Sequence, residues 1–358
     1  MKIIDKYIIR KFLGTFFFAM ALIILIVVVF DISEKLEDFI AKEAPLKAIV
    51  LDYYFNFIPY FVNLFSPLFT FIAVIFFTSR MASRTEIVAI LSSGISYTRF
   101  LYPYLLSATV IAILSLYLNN FVIPHATKKR IAFENEYIRN EYHNNDRNIH
   151  KQISPGSYIY LQNYNTEDNT GYKFSIEKFS KGNLYYKLMA DNIKWDSVKG
   201  SWAIHDYYIR YIHNMDEYIK KGKLLDTTLN FTPDEFGRRD NNIETMDYNE
   251  LETYIGEEQL KGSDNIELYQ IEKYRRIAFP FATFILTIIG ASLASRKIRG
   301  GIGMHIGLGI LISFTFIMLM QISTTFAAGG MVSAMVAVWI PNFLFGFLAW
   351  YLLKIAQK

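Results

Sequence analysis

The hydrophobic positions of this chain gather into six long runs. The first, residues 12–30 (FLGTFFFAMALIILIVVVF), carries no charge, and a helix needs about 20 largely apolar residues to cross hydrocarbon. Further runs occupy 54–78, 101–123, 277–294, 303–327 and 333–353. Each is long enough to span a bilayer as a helix. The runs fall into two groups of three with a long polar stretch between them, which predicts a polytopic α-helical membrane protein with a soluble domain inserted between spans 3 and 4.

The inserted stretch reads in three parts. It opens as a polar, helix-like continuation of span 3 (HATKKRIAFENEYIRNEYHNN). Short runs rich in tyrosine, isoleucine and phenylalanine follow, among them SYIYLQNYN, YKFSIEKFS, NLYYKLMAD and WAIHDYYIRYI, punctuated by Gly156, Gly171, Gly182 and Gly200. That spacing predicts a β-sandwich or jelly roll. Asp247 and Glu250 then form a capping-box pattern with Leu251, Tyr254 and Ile255 at helical spacing behind it, predicting a helix that returns the chain to the membrane. The expected division is 1–123, 124–274 and 275–358.

Charge orients the spans. Lys2, Lys6, Arg10 and Lys11 precede the first run, Arg80, Arg84 and Arg99 lie around the connection between spans 2 and 3, Arg296, Lys297 and Arg299 between spans 4 and 5, and Lys354 and Lys358 after span 6. The connection after span 1 instead carries Asp31, Glu34, Glu37, Asp38, Glu43 and Asp52 against Lys35, Lys42 and Lys47. Short loops rich in lysine and arginine stay on the cytoplasmic side. Both termini are therefore expected in the cytoplasm and the inserted domain outside. The first run exceeds a signal-peptide core of about 7–15 residues and no small-x-small site follows it, which predicts a retained helix.

Composition narrows the function classes. Over 358 residues the chain is 52% hydrophobic and 20% charged, between a soluble domain and a pure membrane bundle, and its net charge of +4 gives no basic stripe for nucleic acid. There is no cysteine, so disulfides, thiolate nucleophiles and cysteine-based zinc sites are excluded. His205 and His213, beside Asp206 and Asp216, share a strand face but lie far apart along it, and no G-x-S-x-G elbow accompanies them; neither a metal site nor a catalytic residue is expected.

Inside the six runs there is no aspartate, glutamate, lysine or arginine; the polar exceptions are residues such as Asn63, His305, Gln321 and Asn342. Ionisable groups at bilayer depth usually mark coupling-ion sites, so an ion-driven pump is disfavoured, and His305 near a helix end reads as a solvated histidine. A phosphate-binding G-x-x-x-x-G-K-[ST] loop is also missing, the glycines at 300–303 reading as a flexible turn. No cofactor is expected. Movement of any cargo would then draw its energy from a partner on the basic side.

One segment fits such a partner. In residues 81–94 (MASRTEIVAILSSG), Ser83 can cap a helix, Glu86 stands three positions later, and Ile87, Ile90 and Leu91 make one apolar face. The expectation is a short amphipathic helix whose apolar face anchors in a groove of a cytoplasmic subunit while Arg84 and Glu86 set the register. An interfacial helix lying among lipid headgroups is the alternative.

The start KIIDKYIIRKFL, the segment SRTEIVAILSSGIS and the return YRRIAFPFATFILTIIGASLASRKIRGG, set in a three-plus-three topology around an extracytoplasmic β domain, resemble the LptF/LptG (YjgP/YjgQ) family of lipopolysaccharide-export permeases, the opening being more like LptG. The resemblance implies an inner-membrane permease subunit of a Gram-negative bacterium, non-catalytic itself. It would pair with an LptF-like paralogue on an LptB-like ATPase dimer, extract lipopolysaccharide and pass it to LptC/LptA-like bridge proteins. It makes Glu86 the coupling-helix carboxylate with Arg84 beside it. A basic residue near the end of helix 1 serves substrate headgroups in some members, and Lys35 occupies that region. A membrane-anchored scaffold or receptor without transport is the competing class.

Overall fold

The computed structural model describes residues 2–139, 146–213, 216–233, 236, 240–261, 263, 265–296 and 301–356. Lys297, Arg299, Gly300 and Lys358, together with the last six residues of the polar continuation of span 3, lie outside them. Two compact units emerge.

Among the described residues, the first unit holds six helices long and apolar enough to cross a membrane. They are α1 (Ile3–Ala41), α2 (Leu46–Ser83), α4 (Tyr97–Tyr137), α6 (Ile266–Ala294), α7 (Gly301–Ala328) and α8 (Ala334–Ala356). A short helix, α3 (Glu86–Ser92), lies between α2 and α4. Each long helix runs past its apolar core, because the flanking polar residues continue the intrahelical hydrogen-bond ladder where water can solvate their side chains. Helices α2 and α4 each contain a π-helical stretch, Ile49–Tyr54 and Leu118–Val122. Such bulges rotate the residues beyond them by one position.

Helix α1 buries a narrow stripe, Ile8, Phe12, Phe16 and Met20, the spacing of one helix face. The most apolar windows of α2 and α6 are 56% and 61% buried, against 17% and 28% for α1 and α7. So α2 and α6 form the core of the bundle, while α1 and α7 turn most of their surface outward. Gly290 of α6 lets Phe71 and Val74 of α2 come within 3.0 Å of where a Cβ would stand. Gly303 and Gly307 of α7 face open space within the chain.

Three of the polar span residues, Asn63, Asn342 and His305, are used internally, whereas Gln321 is exposed. Asn63 donates to Asn119 (2.7 Å) and accepts from Ser115 (2.6 Å), joining α2 to α4. Asn342 of α8 donates to the Ala278 carbonyl of α6. His305 is buried rather than solvated; its ring Nε2 lies 3.2 Å from the Arg296 carbonyl, an exposed-end acceptor that draws the imidazole back over the end of α6.

Among its described residues the second unit is built on six antiparallel strands: β1 (Arg147–Ser154), β2 (Ser157–Asn165), β3 (Thr170–Ser180), β4 (Asn183–Asp196), β5 (Ser201–His213) and β6 (Asp216–Thr227). They neighbour one another in sequence order, a meander rather than the crossed order of a jelly roll. Tight turns explain this. Lys181 and Gly182 have φ of 49° and 82° between paired Ser180 and Asn183, the two-residue hairpin that returns a strand onto its predecessor.

The sheet nevertheless encloses a core, because it is creased. Buried residues alternate as Ile159 and Leu161, then Tyr164; Leu188 and Ala190, then Ile193; Trp202 and Ile204, then Tyr207 and Ile209. In each strand the parity switches at the row through Lys173, Asp191 and Asp206, where Lys173 and Asp206 have φ of 53° and 50°. A change of parity turns the opposite pleat face inward, so both halves contribute to one cluster around Trp202, whose indole donates to the Phe231 carbonyl at 2.9 Å.

Returning toward the first unit, Asp247 and Glu250 bond each other's backbone N–H at 2.8 and 3.0 Å, the expected capping box at the start of α5 (Tyr248–Lys261).

Candidate functional site

The basic connections meet at one end of the bundle. Tyr97 of α4 reaches Ser295 after α6, and Arg296 donates to the Ile355 carbonyl near the end of α8. Helix α3 sits at this end.

Its boundaries are set by two left-handed residues. Helix α2 continues through Ser83, whose hydroxyl donates to the Arg80 carbonyl rather than capping a new helix. Thr85 then adopts φ 60°, ψ 11° as the residue before Glu86. The expected capping box between Ser83 and Glu86 is therefore not formed: intrahelical bonding carries α2 past Ser83, and the reversal comes two residues later. A non-glycine residue in the left-handed region costs about 1–2 kcal/mol, so tertiary contacts must hold this turn. Gly94, φ 84°, ends the helix without that cost, and Ser96 caps α4 by accepting from the Arg99 N–H.

The apolar face of α3 points inward. Ile87 is 2% exposed and belongs to the core with Ile8, Phe12, Phe77 and Phe100; Ile90 and Leu91 pack against the same cluster. Residues expected to anchor in a partner's groove are thus consumed by the chain itself, because the adjoining ends of α1, α2 and α4 offer apolar surface at no association cost. The opposite face is free, with Val88 62% exposed beside exposed Arg84 and Ser92.

Glu86 stands at the edge between the two faces. Tyr7 of α1 donates its hydroxyl to Glu86 Oε2 at 3.0 Å, and Arg84 lies 4.0 Å from Oε1. Two residues before Tyr7, Asp5 is buried and accepts two hydrogen bonds from Arg99, at 2.7 and 2.8 Å, and another from the Lys2 N–H at 2.8 Å. Asp5 and Tyr7 were not singled out from sequence, and Arg99 entered only as one of the basic residues that orient the spans. Asp5 did leave a trace: it lies on the same face as Ile8, Phe12 and Phe16, where an isolated carboxylate requires a partner.

Two polar clusters occupy the other end. Lys35, expected to face substrate headgroups, turns onto its own unit: Asp31 lies 2.7 Å away, Tyr53 hydrogen-bonds the ammonium, and Tyr54 donates to Asp31 at 3.1 Å. The π-helical turn at Ile49–Tyr54 brings both phenols onto α1. Nearby, a cavity of about 80 Å³ is lined by Tyr60, Asn63, Asn119, Glu244, Glu272 and Arg275. Glu272 pairs with Arg275 and Arg276, and Arg276 also donates to the Met246 carbonyl. Burial, with Glu272 adding to it, pushes the Glu244 carboxyl above its ordinary range.

The β unit holds a larger cavity of about 370 Å³, lined among others by Ile153, Ile176, Phe179, Tyr186, Leu188 and Leu225. In the strand register His205 lies opposite Asn192 and His213 opposite Asp216, at separate positions along β5.

Comparison with known proteins accounts for this arrangement. The family model for the lipopolysaccharide export system permease LptF/LptG matches residues 6–355. A protein of Aquifex aeolicus (strain VF5), described as uncharacterized, is similar: 22% identical over 298 residues, 81% of this chain and 81% of its own. A match spanning all six apolar helices, α3 and the β unit places this chain in the LptF/LptG family of lipopolysaccharide export permeases, as a multi-pass inner-membrane protein.

Proposed function

We propose that the chain is the membrane-spanning subunit of an ATP-driven complex that extracts lipopolysaccharide from the inner membrane and hands it to a periplasmic bridge. The observation that carries this reading is α3, a short helix held rigidly at the basic end of the bundle with an outward face of Arg84, Val88 and Ser92 and with Glu86 at its edge. Basic short loops favour the cytoplasm, so this end faces the cytosol and the β unit the periplasm. The chain lacks a phosphate-binding loop motif, so nucleotide hydrolysis belongs to a separate ATPase dimer docked on α3.

Other features support the same reading. The outward apolar surfaces of α1 and α7 suit a paralogous permease as partner, with lipid acyl chains held between the two chains. The mixed lining of the β-unit cavity, aliphatic and aromatic side chains beside Ser157, Lys178 and Asn230, suits part of a lipid on its way to the bridge. Lys35 is already neutralised by Asp31, so headgroup phosphates would have to displace that pair to reach it.

Reversal of one charge tests the docking. Purified in mild detergent, the wild-type chain should carry a stoichiometric cytoplasmic ATPase, and Glu86→Lys should lose it together with lipopolysaccharide release from vesicles. Intact assembly and growth with Glu86→Lys would defeat the coupling role. A wild-type chain that never carries an ATPase would favour the anchored scaffold.

A further inference from the structure

We propose that Tyr7 is a positioning residue for the coupling helix: its hydroxyl fixes the Glu86 carboxylate and so ties α3 to the start of α1. The inference rests on the transport reading above.

A helix of seven residues does not sustain itself in water. Helix α3 is bounded by Thr85 in a left-handed conformation and by Gly94, so its orientation depends on what it touches. Ile87 fixes its depth through burial. Ile90 and Leu91 beside it set the coarse rotation of the helix, and the polar edge, where Tyr7 is the nearest partner of Glu86, sets the fine rotation and the position of the carboxylate. Arg84 is a weaker constraint: its guanidinium lies 4.0 Å from the carboxylate, with a side chain 57% exposed, where water competes for the pair.

Tyr7 is itself fixed. The clamp of Asp5 by Arg99 holds the start of α1 against α4, two residues from Tyr7, and a planar two-point contact resists rotation as well as separation. The chain of contacts runs from Arg99 through Asp5 and Tyr7 to Glu86, linking α4, α1 and α3. With its hydrogen bond placed on Oε2, Glu86 directs Oε1 toward Arg84. A cytoplasmic subunit that displaces α3 must then move the start of α1, whose outward face is the most extensive of the six long helices.

The test uses the full complex with its ATPase in nanodiscs. Tyr7→Phe keeps the ring and removes only the hydroxyl. It should leave the ATPase bound while lowering lipopolysaccharide extracted per ATP hydrolysed about threefold, the scale of one partly exposed hydrogen bond. In a Glu86→Ala background, Tyr7→Phe should cause no further loss. Because the chain has no cysteine, spin labels at Arg10→Cys and Ser93→Cys report the position of α3 against α1 even where docking is lost. Their distance distribution should broaden with Tyr7→Phe, and Glu86→Ala should broaden it equally.

An unchanged extraction ratio with an unchanged distance distribution would overturn the inference, as would losses that add in the double variant. If Glu86→Lys abolishes docking while Tyr7→Phe is silent in both measurements, the transport reading stands and this inference alone fails. If no ATPase accompanies the wild-type chain, both fall.

Discussion

At the basic end of the bundle Asp5 meets one guanidinium in a flat, two-point contact; at the opposite end Asp31 meets one ammonium, Lys35, and two phenols, Tyr53 and Tyr54. Both carboxylates lie on α1 and both are buried. Their partners differ in what they constrain. A guanidinium fork matches a carboxylate in one plane and orientation, whereas an ammonium is a point charge that tolerates rotation. The rigid clamp stands beside the helix read here as the docking element. The more adaptable one stands beside a π-helical turn. Helix α1, thinly packed between them, is therefore pinned firmly where a partner would push and more loosely at its far end.

Asp5→Asn should have the largest effect. It leaves Arg99 without a charge partner and removes one of the two strong acceptors. Breaking a fully buried pair costs about 3–5 kcal/mol. Here Asp5 is 3% exposed but Arg99 is 37% exposed, so water recovers part of that and the loss should be about 2 kcal/mol, read as a fall in the unfolding midpoint of the purified protein. Asp31→Asn should cost less, about 1 kcal/mol, because the amide oxygen still accepts from one tyrosine, the amide N–H can donate to the other phenol oxygen, and Lys35 retains Tyr53. If Asp31→Asn proves the more damaging, the assignment of rigid and adaptable ends is reversed. Thr85→Gly sharpens the comparison from the other side. It relieves left-handed strain of about 1–2 kcal/mol but adds unfolded-state freedom of about 0.5–1 kcal/mol. A gain of about 0.5 kcal/mol is expected, and a loss would mean the threonine side chain contributes contacts beyond its bond to the Arg84 carbonyl.

Much of the architecture was legible in the sequence because its causes are local. Charge-free runs of bilayer length mark the six spans wherever neighbouring side chains end up. Alternating aromatic and aliphatic residues mark strands, and Asp247 with Glu250 marks the start of α5 within four residues. The short helix was also legible, but its start was placed too early: nothing in the string distinguishes Ser83 ending one helix from Ser83 capping the next.

What the sequence alone determined, then, is how many segments cross the membrane, where a β domain is inserted, and which end carries the basic loops, since length, periodicity and charge are sums over adjacent residues. Tertiary structure alone decided which face of α3 is free, that Lys35 turns onto Asp31, that the sheet creases through Lys173, Asp191 and Asp206, and that Tyr7 and Arg99 reach Glu86 and Asp5. Those last pairs are separated by 79 and 94 residues. Such contacts exist only once the helices have packed, because packing sets the distance between side chains that the chain itself leaves far apart.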